Sequence, residues 1–203
     1  MTDSVLTGSS QEGISFPLQD SHGHVFRETD PFSLKERAVS EGKKLVALID
    51  TGVNGLADAS VNVTDADSAY DDSGHGTWMA SLIREYGGDS VLILSVKAFD
   101  GNGRAALTNV YAAVKYAMEA GADIISISAS ADDSPNAAAL KQLIAQAVSE
   151  GITVVASAGN GGTDASGKIP VNIDGVTGVS SCDETASHIT GNYGSPVDYL
   201  VPA

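Results

Sequence analysis

Leu45-Val46-Ala47-Leu48-Ile49, followed at once by Asp50-Thr51-Gly52, is an unbroken apolar run ending in a polar turn. It lacks the polar–apolar alternation of a half-exposed strand, so it is read as a strand buried on both faces. Val91-Leu92-Ile93-Leu94-Ser95-Val96, Asp123-Ile124-Ile125-Ser126-Ile127-Ser128 and Ile152-Thr153-Val154-Val155-Ala156 read the same way, and Val197–Val201 looks like a further strand. Helical patterns lie between them. Thr77 to Tyr86 is predicted as a helix. A second begins at Thr108, expected as its N-cap; Val110, Val114, Ala117 and Met118 share one face, and Gly121 follows as the C′ residue. A third opens with Ser134 as cap and Pro135 at its first position. Its stripe is Leu140, Leu143, Ile144, Ala147 and Val148, and Gly151 closes it. Buried strands alternating with amphipathic helices predict an α/β fold. The expected architecture is a doubly wound, mostly parallel sheet with helices on both faces.

Around this frame, residues 1–42 read as an N-terminal extension. It carries one short helix over Ser33–Ser40, with Ser33 as cap, Glu36 three residues later, and Gly42 as its end. Residues 53–74 read as an acidic loop. A chain of 203 residues with 42% apolar content supports one sizeable packed core. The net charge of −15 argues against nucleic-acid binding, which needs a basic face for the phosphates, and against anionic membrane surfaces. No stretch reaches the roughly 18 consecutive apolar residues of a membrane span. Met1 to Ser10 lacks the charged and apolar regions of a signal peptide. The single cysteine, Cys182, excludes an internal disulfide and is expected as a small buried core residue. His22 and His24 have no partners at metal spacing and are read as surface residues.

In open parallel sheets, ligands bind at the carboxyl ends of the strands. Three polar signals occur there or close by. Asp50-Thr51-Gly52 follows the first strand, Gly74-His75-Gly76-Thr77 opens a helix, and Ser157-Ala158-Gly159-Asn160-Gly161 follows the fourth strand. Asp-Thr-Gly alone also fits a turn aspartate, or an aspartic protease in which two such carboxylates share a proton. A histidine between two glycines is more specific. Glycine costs about 1 kcal/mol in a helix interior, so something there needs a close backbone approach. Ala-Gly-Asn-Gly by itself is an ordinary turn.

In the order Asp50, His75, Asn160, these segments resemble the subtilisin family. The matching stretches are Val46–Gly52, Ser73–Thr77 and Thr153–Asn160. Val96–Gly103 resembles the family's strand and substrate-side loop, and Asp123–Ser128 the strand beside bound peptide. The resemblance covers residues 43–203 and implies a partial subtilisin-like catalytic domain of a serine endopeptidase acting on polypeptides. His75 is then the base that takes the proton of a serine hydroxyl, Asp50 the residue that orients the imidazole, and Asn160 the oxyanion donor. Ser128, Ala129 and Ser130 fall on one side of the peptide, and Gly101, Asn102 and Gly103 on the other. Ala158, Gly159, Ile169 and Pro170 line a primary specificity pocket whose small apolar walls favour an uncharged side chain. The resemblance further implies a monomer with no cofactor, in an extracellular or cell-envelope setting.

The sequence also departs from the family pattern. No Gly-Thr-Ser occurs, and Ser195 precedes the last strand rather than following it. The expectation is a truncated chain whose nucleophile lies past Ala203, nearly inert by itself; loss of that serine costs subtilisin about 10⁶ in kcat. The family's calcium-binding insertion is absent between Met79 and Ile93. Asp100-Gly101-Asn102-Gly103 starts like an EF-hand loop but continues with Arg104 and Ala105. Asp65–Asp72 reads as a solvated charge run. No metal site is predicted, although structural calcium stays open. Ser130-Ala131 replaces a glycine pair beside the substrate. Two readings remain: an endopeptidase domain, or a subtilase-like domain that binds a peptide or partner without cleaving. The aspartic-protease alternative fails, because such enzymes are β-rich and have no use for helices at 108–120 and 134–150, nor for His75.

Overall fold

In the computed structural model, which describes residues 31–202, the opening apolar run is the body of strand β1 (Lys44–Asp50), buried from Leu45 onward. It is buried because strands flank it on both edges. Strand β3 (Val91–Lys97) pairs on one side and β4 (Ile124–Ile127) on the other. Strand β2 (Ala59–Asn62) lies outside β3, while β6 (Thr153–Ser157), β8 (Thr177–Cys182) and β9 (Tyr199–Pro202) continue the opposite edge. The sheet order is β2-β3-β1-β4-β6-β8-β9, and every neighbouring pair is parallel. A separate antiparallel pair joins β5 (Ala131–Asp132) to β7 (Lys168–Ile169).

Among the described residues, four α-helices cover the sheet: α1 (Pro31–Glu41), α2 (His75–Gly87), α3 (Leu107–Glu119) and α4 (Ala138–Ser149). Alternation along β1 sorts its side chains by face. Leu45, Ala47 and Ile49 join Leu34 of α1, Val114 of α3 and Ile144 of α4 in the larger core. Leu48 packs with Ile93 and with Ala80 of α2 in a smaller one. Asp50, two residues after Leu48, therefore shares the α2 face. The expected α/β fold with helices on both faces is what the chain adopts.

Several local expectations shift. The first helix starts at Pro31, so Ser33 lies inside it rather than at its cap. Thr108 is the second residue of α3, whose N-cap is the extended Ala106 with no side-chain hydrogen bond. Ser134 makes no capping hydrogen bond either, and Pro135–Ala137 form a turn of 3-10 helix before α4. The acidic loop contains β2, an edge strand without an apolar run. Strand β8 was invisible to periodicity because its buried positions are Gly178, Ser180 and Cys182. Cys182 is buried, as expected. His22, His24 and the Met1–Ser10 segment lie outside the described residues. No helix among the described residues is long and apolar enough to cross a membrane.

Helix α1 belongs to the main core: Leu34 and Ala38 are fully buried. Asp123 ties it to the sheet, accepting from Lys35 Nζ at 2.8 Å, the Leu45 N–H at 2.9 Å and Lys44 Nζ at 3.4 Å. Burial pushes the Asp123 carboxyl up, but the Leu45 amide and the lysines outweigh it and hold the group below the usual carboxylate range. A depressed carboxylate contributes stability above its unfolded pKa and loses it as pH falls through the folded value. Asp123→Asn should lower the melting temperature at pH 7, and the difference from wild type should vanish at the acid end of a pH series. Leu34→Ala should cost about 2–5 kcal/mol in urea unfolding. The exposed Val39→Ala on the same helix should be close to neutral.

Candidate active site

Asp50 ends β1 at the carboxyl rim of the sheet, and His75 is the first residue of α2. Asp50 Oδ1 lies 2.7 Å from His75 Nδ1 and accepts the Thr51 N–H at 2.7 Å. An ionised carboxylate can only accept, so a ring proton on Nδ1 faces Asp50, and in the neutral ring Nε2 carries the lone pair. The carboxylate is 3% exposed and the imidazole 41%. The pair thus has a dry, fixed end and an open, solvent-facing end. Trp78, one turn along α2, meets the ring edge-on at 6.3 Å and is itself exposed.

The glycine after the histidine has a steric cause. A Cβ on Gly76 would stand 2.1 Å from the Gly52 carbonyl oxygen and 3.1 Å from Asp50 Oδ1. The first turn of α2 therefore rests directly on the Asp50-Thr51-Gly52 turn. Gly74, at φ 84°, takes the left-handed conformation that leads the chain into the helix.

A second buried carboxylate supports this junction. Asp71, 4% exposed, accepts the Thr51 hydroxyl at 2.7 Å and the Ser73 and Gly74 N–H groups at 3.1 and 2.8 Å. It also accepts the Thr77 N–H at 2.8 Å and the Thr77 hydroxyl at 2.6 Å. Burial raises its pKa, but these donors prevail and hold it below the ordinary value. The Gly76 N–H donates to Thr51 Oγ1 at 3.0 Å. Beneath the turn, the fully buried Lys97 donates to the Thr51 carbonyl at 2.6 Å and lies 3.3 Å from Asp72 Oδ2. Sequence reading assigned no role to Asp71 or Lys97, though a lone cation at the end of an apolar strand was a signal. Asp71, read as solvated, is buried because the loop folds back over Thr51.

Asn160 follows β6 by three residues, two strands from β1 on the same rim, and is exposed. The β5–β7 pair sets Ala131 opposite Ile169, which brings the 128–130 and 169–170 segments together. Ser130 Oγ donates to the Ala158 carbonyl at 3.2 Å, so Ala158 and Gly159 border the same region. Gly101 lies across the rim, where its Cβ would stand 3.2 Å from Asp72 Cβ. Asn102 and Gly103 are in the tight turn that Asp100 organises. Asn192, which the sequence did not flag, is 2% exposed and clamps the loop before Asn160. Its Nδ2 donates to the Ala158 carbonyl at 2.7 Å, and its N–H to the Gly159 carbonyl at 2.8 Å. Among the described residues, no group of three His, Cys, Asp or Glu side chains is arranged to hold a metal ion.

The model of the subtilase family matches residues 42–198. The chain belongs to the subtilase family. This subtilase is 30% identical over 168 residues to subtilisin-like protease 2 of Pseudogymnoascus destructans, a match covering 77% of this chain and 42% of that protein. It is 28% identical to the minor extracellular protease Epr of Bacillus subtilis, over 76% of this chain and 26% of that protein. The chain thus spans less than half the length of either relative. The crystal structure of a cold-adapted subtilisin-like serine proteinase matches with a TM-score of 0.68 and 27% identity, covering 80% of this chain and 64% of that one.

Gly76→Ala should separate α2 from β1 and break the Asp50–His75 hydrogen bond. A downfield Nδ1–H resonance of His75 is expected in the wild-type proton NMR spectrum and should be lost in the variant, while the far-ultraviolet circular dichroism is kept.

Proposed function

We propose that this subtilase domain serves a serine endopeptidase that hydrolyses peptide bonds, with its nucleophilic serine beyond Ala203. The observation that carries the reading is the 2.7 Å hydrogen bond between buried Asp50 and half-exposed His75 at the strand ends. A serine hydroxyl is a weak nucleophile until a base removes its proton. With its Nδ1 proton donated to Asp50, His75 offers Nε2 to that hydroxyl and later returns the proton to the leaving amine. Asp50 fixes the tautomer and stabilises the imidazolium formed on the way. Asn160, exposed on the same rim, supplies a side-chain N–H to the developing oxyanion.

The substrate is a polypeptide lying between the 128–130 segment and the 101–103 turn, with one uncharged side chain against Ala158, Gly159, Ile169 and Pro170. The Cβ atoms of Ser130 and Ala131 narrow the outer subsites. Catalysis needs no cofactor in this scheme, and the domain acts as a monomer. An extracellular or cell-envelope setting follows from the family likeness, and one relative is named an extracellular protease.

A fluorophosphonate probe should label the full-length protein covalently, and His75→Ala should abolish labelling. A folded wild-type sample that takes no label would turn the reading to a domain that binds peptide without cleaving it. Asn160→Ala should lower kcat with little change in KM; the same loss costs subtilisin about 10²–10³.

A further inference from the structure

Asp50 is buried yet sparsely hydrogen-bonded. Oδ1 takes the His75 ring and the Thr51 N–H, while Oδ2 is buried with no partner. A third donor stands close: the Thr51 hydroxyl is 3.3 Å from Asp50 Oδ1. That hydroxyl has one proton and lies nearer, at 2.7 Å, to Asp71 Oδ1. Its oxygen is held in place by the Gly76 N–H at 3.0 Å, which points a lone pair at the helix and leaves the proton to the carboxylates. The shorter contact takes it.

We propose that Asp71 is a positioning residue for the Asp50–His75 pair: it captures the Thr51 hydroxyl proton and so withholds a hydrogen bond from Asp50. This rests on the reading of Asp50 and His75 as the catalytic pair. A donor on a carboxylate stabilises its charge and makes it a poorer acceptor for anything else. With the hydroxyl turned away, Asp50 gives its charge chiefly to the imidazole and supports the imidazolium more strongly. The two carboxylates share one hydroxyl but have opposite surroundings. Asp71 is saturated by donors from Thr51, Ser73, Gly74 and Thr77, while Asp50 is left under-satisfied. The other charged groups at the junction are Asp72 from the same loop and Lys97 from β3, paired at 3.3 Å. Strand β4 brings no titratable group, and Arg84 of α2 is engaged with Asp58 and the Val91 carbonyl.

The test is the pKa of His75 in the full-length protein, read from its Cε1–H resonance in wild type, Thr51→Val, Asp71→Asn and the double variant. Asp71→Asn replaces the carboxylate by a weaker, uncharged acceptor and lets the hydroxyl turn to Asp50, so the His75 pKa should fall by at least about half a unit. Thr51→Val removes a hydroxyl that Asp50 was not using, so the pKa should stay within about 0.3 units of wild type. In the Thr51→Val background, Asp71→Asn should lose more than half of its effect, because no hydroxyl remains to turn. An Asp71→Asn shift of equal size in both backgrounds would mean that the Asp71 charge acts through space and would overturn the proposal. So would no shift, or a change with Thr51→Val beyond the stated range. Neutron diffraction of the wild-type protein reads the same point with no variant at all. The Thr51 deuteron should point to Asp71 Oδ1, and a deuteron on the Asp50 side would sink the idea. Neither measurement depends on covalent labelling, so failure here is separable from failure of the peptidase reading.

Discussion

The site depends on a helix N-terminus being pressed against a strand end with no side chain between them. Gly76 lies so close to the Gly52 carbonyl that any Cβ would overlap it. That contact brings His75 to 2.7 Å from Asp50. Moving α2 outward by one methyl group would turn a strong charge-assisted hydrogen bond into a solvent-filled gap, because such bonds weaken steeply beyond their normal length. The remainder of the fold keeps this contact from relaxing. Leu48, Ile93 and Ala80 pack beneath the junction, and the parallel sheet holds β1 on both edges.

Polar groups brought into such a contact must be satisfied, and the loop before α2 does this. Asp71 collects the free N–H groups at the start of the helix, together with two hydroxyls. Lys97 does the same from below by capping the Thr51 carbonyl. Burying an ammonium group is expensive unless it is paired, and Asp72, 3.3 Å away, offsets part of that cost. The unpartnered Asp50 Oδ2 is the exception, and it lies on the group whose charge the chemistry would use.

The other rim segments follow the same logic at lower cost. The loop before Asn160 carries no charge, and one buried residue, Asn192, holds it with its side-chain amide on Ala158 and its backbone N–H on Gly159. The short β5–β7 pair then closes that border of the rim. Subtilase membership and the parallel α/β fold agree with this layout.

The sequence by itself determined the parallel sheet, because strands buried on both faces must be apolar throughout, and the runs at 45–49, 91–96, 123–128 and 152–156 are nearly so. It also marked Asp50, His75 and Asn160, since two of these sit beside glycines that a helix or strand would otherwise reject. Edge and late strands escaped it. Strand β2 is half-exposed, and β8 buries Gly178, Ser180 and Cys182, so neither carries an apolar signature. Only the tertiary structure decided how the residues around the pair behave. Whether Asp71 is a solvated charge or a buried acceptor, and whether Lys97 faces water or a carbonyl, depends on which loop lies over which strand end. That is a matter of contacts between residues 20 to 46 positions apart, which local pattern does not encode.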